Sequence, residues 1–186
     1  MDERPVLVDI DKYGVATVCL NRPHRNNAYN GEMMTALLEG VKSLSADDSV
    51  RIIVLRGNGK YFQAGADLKW MNSLATESFE TNFDMSRTTT DAVRLLNACP
   101  KPTIALVQGG CFGGGVGIMA ACDIVIASRE TVFSITEVRW GLVAGPIIPQ
   151  LADAMGLRAL RRYALTGETF GVEKAADYDL VHEICE

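Results

Sequence analysis

Histidine is almost missing from this chain. Two in 186 residues, His24 and His182, cannot supply a zinc-type constellation, and the five cysteines (Cys19, Cys99, Cys111, Cys122, Cys185) contain no Cys-x-x-Cys pair to take their place. The thiols therefore read as small buried hydrophobes of a reducing compartment. No apolar run is long enough to cross a bilayer, and the N-terminal MDERPVLV lacks the extended apolar stretch of a signal peptide. Positive charge is also short: 18 Lys and Arg stand against 23 Asp and Glu, a net charge of −5, which argues against a nucleic-acid backbone as the main partner. There is no Gly-x-x-x-x-Gly-Lys-Ser/Thr loop, and no Gly-x-Gly-x-x-Gly run opens a helix, so nucleoside triphosphate and dinucleotide sites have no support. No fixed-period repeat or low-complexity segment is present. A cytoplasmic protein with no metal, membrane or nucleic-acid partner is expected.

What the chain does have is alternation. Val6–Ile10 and Val15–Leu20 read as a hairpin about Tyr13-Gly14. Asn30 is placed to cap a helix whose apolar stripe is Met33, Met34, Leu37, Leu38, Val41 and Leu44. Ile52–Leu55 is a short, continuously apolar strand. A helix is expected from just after Thr76 to about Ala98, ended by Pro100 and Pro102. Strands follow at 103–107, 123–127 and 131–135. Between the first two lie a glycine-rich turn at 113–117 and a small-residue helix at 118–122. Helices over 157–166 and 172–178 lead to a last apolar segment, 180–184. Strand–helix alternation of this kind implies parallel βαβ units, hence an α/β fold.

Three segments carry potential chemistry. Residues 61–69 form a bend of small side chains that lets a ligand approach the backbone. Residues 109–117, Gly-Gly-Cys-Phe-Gly-Gly-Gly-Val-Gly, open a helix and so present free N–H groups. Residues 136–142 place one carboxylate, Glu137, among mostly apolar neighbours. Each has a plain alternative. Glycines at a strand-to-helix turn often serve packing alone, Glu137 could be a paired surface carboxylate, Arg25 and Arg139 are the kind of residue that is usually solvated or salt-bridged, and Asp123 suits a helix end.

Read in order, the segments Asn21-Arg22-Pro23, Asn27-Ala28, Phe62-Gln63-Ala64-Gly65-Ala66-Asp67-Leu68, Pro100-Lys101-Pro102, Gly109 to Gly117 with Ala121-Cys122-Asp123, and Glu137-Val138-Arg139-Trp140-Gly141-Leu142 resemble the crotonase (enoyl-CoA hydratase/isomerase) superfamily over nearly the whole chain. The closest resemblance is to hydratases of the methylglutaconyl-CoA and isohexenylglutaconyl-CoA type. It implies the crotonase spiral of ββα units and a coenzyme A thioester as substrate, with no separate cofactor. The thioester oxygen would sit between the N–H groups of Ala66 and Gly114, and Glu137 would be the acid/base. Ala64, Ala66 and Leu68 match the loop that wraps coenzyme A, and Arg25 falls near its phosphates. Asp67, Gly114, Gly117 and Gly145 complete the expected binding set.

One departure stands out. Ordinary members of that family place a first glutamate after the glycine run, and here that position is Gly117. Losing an acid/base partner costs roughly 10²–10⁴ in rate. The resemblance leaves three readings: a hydratase in which Glu137 acts alone and the space at Gly117 takes a branched, carboxylated acyl chain, with Arg139 as a candidate for its carboxylate; a Δ3,Δ2-enoyl-CoA isomerase using Glu137; or an acyl-CoA binder of the same fold without activity. Pocket size would depend on residues such as Trp70, Met71, Phe83, Met85, Trp140 and Ile147. Full-length relatives form trimers or hexamers through further C-terminal helices, so residues 1–186 are expected to be a single core domain without them.

Overall fold

The computed structural model describes residues 4–186, so Met1–Glu3 of the N-terminal segment lie outside it. β1 (Val6–Ile10) and β2 (Val15–Leu20) form the expected antiparallel hairpin, Val6 opposite Leu20. Asn30 caps α1 (Gly31–Ala46) by accepting the Met33 N–H at 3.0 Å. Met33, Met34, Leu37, Val41 and Leu44 are buried, so the apolar stripe is the inward face. β3 (Ile52–Gly57) follows and pairs in parallel with β2.

After a bend come α2 (Leu68–Leu74) and α3 (Phe79–Asn97), the latter capped by Ser78. β4 (Thr103–Val107) returns to the sheet beside β3. β5 (Gly110–Phe112) leaves it and leads straight into α4 (Gly114–Ala120). β6 (Ile124–Ser128) rejoins the sheet beside β4, and β7 (Val132–Ser134) pairs with β5. α5 (Ile148–Thr166) contains a non-helical residue, Gly156, whose positive φ of 73° divides it into two helical pieces. β8 (Phe170–Gly171), α6 (Val172–Asp177) and β9 (Glu183–Cys185) complete the chain.

The main sheet has six strands in the order β1-β2-β3-β4-β6-β9, parallel except for β1, and a second sheet has the order β5-β7-β8. Helices α1 and α3 pack on each other, while α4 packs on α5. One buried cluster runs from Val6 in β1 to Val181 ahead of β9 and includes Phe62, Met119 and Phe133. Each such side chain contributes about 1.5–3 kcal/mol on burial.

Buried polar groups act as staples between loops. Asn27, fully buried, donates through Nδ2 to the carbonyls of Asn58, Tyr61 and Phe62, and accepts the Arg22 N–H. Asp123 accepts from the Thr103 N–H and hydroxyl at 2.7 and 2.8 Å, which locks β4 to the start of β6. Lys101 ties the start of β4 to the carbonyls of Asp47 and Val50.

Four expectations are corrected. The glycine run is not a turn ahead of a helix but the helix itself, displaced from 118–122 to Gly114–Ala120. Its glycines are admitted because other backbone and side chains press against them. The short helix α2 and the first half of α5 lie outside the expected helices, although Ile148, Leu151 and Met155 stand at helical spacing. The 180–184 segment becomes strand only at Glu183–Cys185. Cys185 is exposed and Cys99 half-buried, so the picture of buried thiols holds for Cys19, Cys111 and Cys122. Among the described residues no helix is long and apolar enough to cross a membrane, and no cluster of three metal-ligating side chains occurs.

Candidate active site

A cavity of about 450 Å³ opens where α2, α3, the start of α4 and the segment 136–147 meet. That volume is within the range of small-molecule sites. Its floor is backbone and its walls are side chains.

The floor is made by two bends held together through Gln63, which is fully buried. The Gln63 backbone pairs with the chain entering α4: its N–H donates to Gly110 O at 3.2 Å, and its carbonyl accepts from Phe112 N at 2.9 Å. Its side chain turns back on its own bend, accepting the Gly65 N–H at 2.6 Å and donating to Gly65 O at 3.2 Å. Tyr29 closes the other side, with its N–H on Gly65 O at 2.9 Å and its carbonyl accepting the Asp67 N–H at 2.8 Å. The amides flanking Ala66 are thereby occupied. The Ala66 N–H itself has no acceptor among the described residues.

The second bend turns at Gly113, whose φ of 51° and ψ of −128° suit glycine. Gly113 N donates to Ser134 O at 2.8 Å. Gly114 is the first helical residue, so its N–H has no intrahelical acceptor. Gly65 lies against this turn: a side-chain carbon there would stand 3.3 Å from Phe112 O. The structure thus brings the unpaired Ala66 and Gly114 amides to one cavity edge.

Glu137 reaches the same edge from a single 3₁₀ turn, Glu137–Trp140. Its Oε1 lies 3.1 Å from where a side chain on Gly113 would begin, a tight approach at a position whose positive φ already favours glycine. Its Oε2 is buried without a hydrogen-bond partner among the described residues. Burial pushes the Glu137 carboxyl above its ordinary value, opposed only by its own backbone N–H. A carboxylate held this way, beside unpaired N–H donors, is equipped to take and return a proton.

The remaining expected residues divide. Ala64, Ala66, Leu68 and Gly114 line the cavity. Asp67 does not: it caps α2 through the Lys69 N–H and forms an ion pair with Arg22 at 3.0 Å. Arg22 also donates to Ala28 O, so this pair clamps the loop before α1 to the Ala66 bend. Arg25 is exposed on a 3₁₀ turn outside the cavity. Gly145 sits between lining residues Ala144 and Pro146 without lining the cavity itself.

Gly117 overturns an expectation. A side-chain carbon on it would fall inside Ile147, so the space is filled rather than left for an acyl branch. Arg139 does line the cavity, but its guanidinium donates to Gly167 O at the end of α5. Of the candidates for pocket size, Trp70, Met71, Met85, Trp140 and Ile147 form the wall, whereas Phe83 is exposed and stacks on Phe79 outside it. Two residues were not singled out from the sequence. Gln63 was legible only as part of a motif, and Tyr29, beside the capping Asn30, carried no periodic signal of its own.

A family model described as enoyl-CoA hydratase/isomerase matches residues 11–186. The chain is 36% identical over 183 residues to a hydroxycinnamoyl-CoA hydratase-lyase of Pseudomonas fluorescens, covering 97% of this chain and 66% of that protein. It is 32% identical over 189 residues to a trans-2-decenoyl-[acyl-carrier-protein] isomerase of Streptococcus mutans, covering 100% of this chain and 71% of the relative. The crystal structure of an enoyl-CoA hydratase from Shewanella pealeana superposes with a TM-score of 0.94 at 36% identity, covering 98% of this chain and 68% of that one. The chain therefore spans about two thirds of the length of the proteins it resembles.

Proposed function

The chain belongs to the enoyl-CoA hydratase/isomerase family, and on that premise we propose that its cavity binds a coenzyme A thioester and adds water across the α,β double bond of the acyl group. The observation that carries this reading is the meeting of three unsatisfied groups at one cavity edge: the Ala66 N–H, the Gly114 N–H and the buried, partnerless Glu137 Oε2. The two N–H groups hold the thioester oxygen. Water attacks Cβ, its proton passes to the Glu137 carboxylate, and the π electrons move to the thioester oxygen as an enolate. Glu137 then returns the proton to Cα and the enolate collapses to the 3-hydroxyacyl thioester. Each N–H donor to such an oxyanion is worth roughly 10²–10³ in rate. Coenzyme A enters only as part of the substrate.

The acyl chain this cavity favours is apolar. The branched, carboxylated chain came from the family resemblance, with room at Gly117 and Arg139 as a candidate for its carboxylate; Ile147 fills that room and the Arg139 guanidinium donates to Gly167 O. Trp70, Met71, Leu74, Met85 and Leu142 offer a hydrocarbon wall instead.

Kinetics with crotonyl-CoA and methylglutaconyl-CoA side by side test both parts. Formation of a 3-hydroxyacyl thioester with higher kcat/KM on crotonyl-CoA is expected, falling by about 10²–10⁴ in Glu137→Gln. A shifted double bond as the product would make the chain an isomerase. A preference for methylglutaconyl-CoA would restore the carboxylated substrate.

A further inference from the structure

Tyr29 is placed at the reacting centre by main-chain bonds that bracket Ala66, yet neither the family motifs nor the reading above gives its side chain a task. The ring lies over Gly114: a side-chain carbon on Gly114 would stand 2.6 Å from Tyr29 Cε1 and 3.0 Å from its Oη. The neighbouring glycine has the same relation to the carboxylate, with Glu137 Oε1 at 3.1 Å from the corresponding point on Gly113. A phenol and a carboxylate thus flank two consecutive glycines, one of which supplies the Gly114 N–H. Trp70 fixes the Tyr29 ring edge-on, with centroids 5.9 Å apart. Among the described residues no protein group hydrogen-bonds the Tyr29 hydroxyl, which faces the cavity. Tyr29 is half-buried on the cavity wall, so a hydroxyl with no protein partner there is open to a water in the cavity.

We propose that the Tyr29 hydroxyl holds the attacking water, doing for its orientation what a second carboxylate at position 117 cannot do here. The water donates one O–H to Glu137 and accepts the Tyr29 O–H, leaving a lone pair to aim at Cβ. Tyr29 keeps its proton throughout: the only proton that moves is the one Glu137 takes from water and returns to Cα. In the reverse direction the same O–H supports the departing oxygen. Burial and the nearby Glu137 charge raise the Tyr29 pKa to about 12, so the hydroxyl is a donor across the working pH range and never a base. The alternative, that the ring merely fills space above Gly114, explains the packing but leaves the hydroxyl without purpose.

The proposal rests on the hydratase reading, and Tyr29→Phe separates the two when two reactions are followed. One is hydration of crotonyl-CoA, which needs an oriented water. The other is exchange of the α-protons of butyryl-CoA with deuterium oxide, which needs Glu137 and the two N–H groups but no added water. Tyr29→Phe is expected to lower kcat for hydration roughly 10- to 100-fold. KM should stay within about twofold, exchange should stay near the native rate, and the melting temperature should be unchanged, since Oη bonds no protein group. Native-like hydration by Tyr29→Phe overturns the proposal and leaves the reading standing. So does an equal fall in both reactions, which would mark a purely structural role. A native protein that neither hydrates nor exchanges overturns the reading and the proposal with it.

Discussion

Ile147 occupies the space that any side chain at Gly117 would need, and the same residue forms part of the cavity wall. Ile147 is 2% exposed, so it has little freedom to move aside. The pair links the interior of α4 to the shape of the pocket. Adding a methyl group in Gly117→Ala should cost about 1–3 kcal/mol through overpacking, a fall of about 2–12 °C in melting temperature. Ile147→Ala in the same chain should restore part of the loss. The non-additivity of the two changes in a double-mutant cycle, read by thermal unfolding, measures their contact. Additive effects would show that the two residues do not touch.

Glu137 predicts a pH dependence in two observables. The carboxylate must be ionised to accept a proton, and burial raises its pKa, so log(kcat/KM) should climb with pH along a limb lying above the ordinary carboxyl range. Stability should run the other way. Above its raised pKa the folded protein carries a buried charge that the unfolded chain keeps in water, so the ionised group subtracts stability there. Below the usual carboxyl pKa both states are protonated and the penalty disappears. Glu137→Gln should therefore melt higher than the native protein at about pH 8, with the two curves converging towards about pH 4. Scanning calorimetry across that range checks the sign.

Asp67 should show the opposite trend. Burial pushes its carboxyl up, but the Arg22 guanidinium and the Lys69 and Trp70 N–H groups outweigh it and hold the carboxyl below its ordinary value. Its contribution is thus present above the unfolded pKa and lost as pH falls through the depressed folded value. Asp67→Asn should lower the melting temperature at neutral pH, and the deficit should shrink in acid. Because the ion pair clamps the Ala66 bend, kcat should fall with it.

Gln63 satisfies both polar groups of Gly65 at once. In Gln63→Leu the Gly65 N–H loses its acceptor in a buried place, at a cost of about 1–3 kcal/mol. The Ala66 amide should also lose its fixed aim, so turnover should drop more than coenzyme A binding. A KM–kcat split in steady-state kinetics, beside a denaturant melt, distinguishes this from simple loss of folded protein.

Much of this was legible from residue order alone. The hairpin, the Asn30-capped helix and strand β4 follow from local signals: alternation, a cap, a short apolar run ahead of a breaker. Glu137, Ala66 and Gly114, picked out through the family resemblance, all line one cavity. What escaped depends on distant partners. That Gly117 is filled could not be read without knowing that Ile147, thirty positions on, packs against it. That Arg139 donates to a main-chain carbonyl at Gly167 rather than to a carboxylate leaves no trace in composition. Asp67 read as a ligand contact, but Arg22, on the other side of the first loop, claims it. Tyr29 went unnoticed because its importance lies in two glycines far along the chain.

The cavity floor is main chain and glycine, crowded by Gln63, Tyr29 and Glu137, while its far wall is made of apolar side chains on α2 and of Met85 among polar side chains on α3. The two regions differ in the substitutions they can accept. A substitution on the floor collides with something already there, so inheritance holds the reactive geometry still. Wall residues such as Met71 and Leu74 can be exchanged without touching that floor, whereas Trp70 and Ile147 are tied to it through Tyr29 and Gly117, so acyl preference can be retuned from one part of the wall while the chemistry stays fixed.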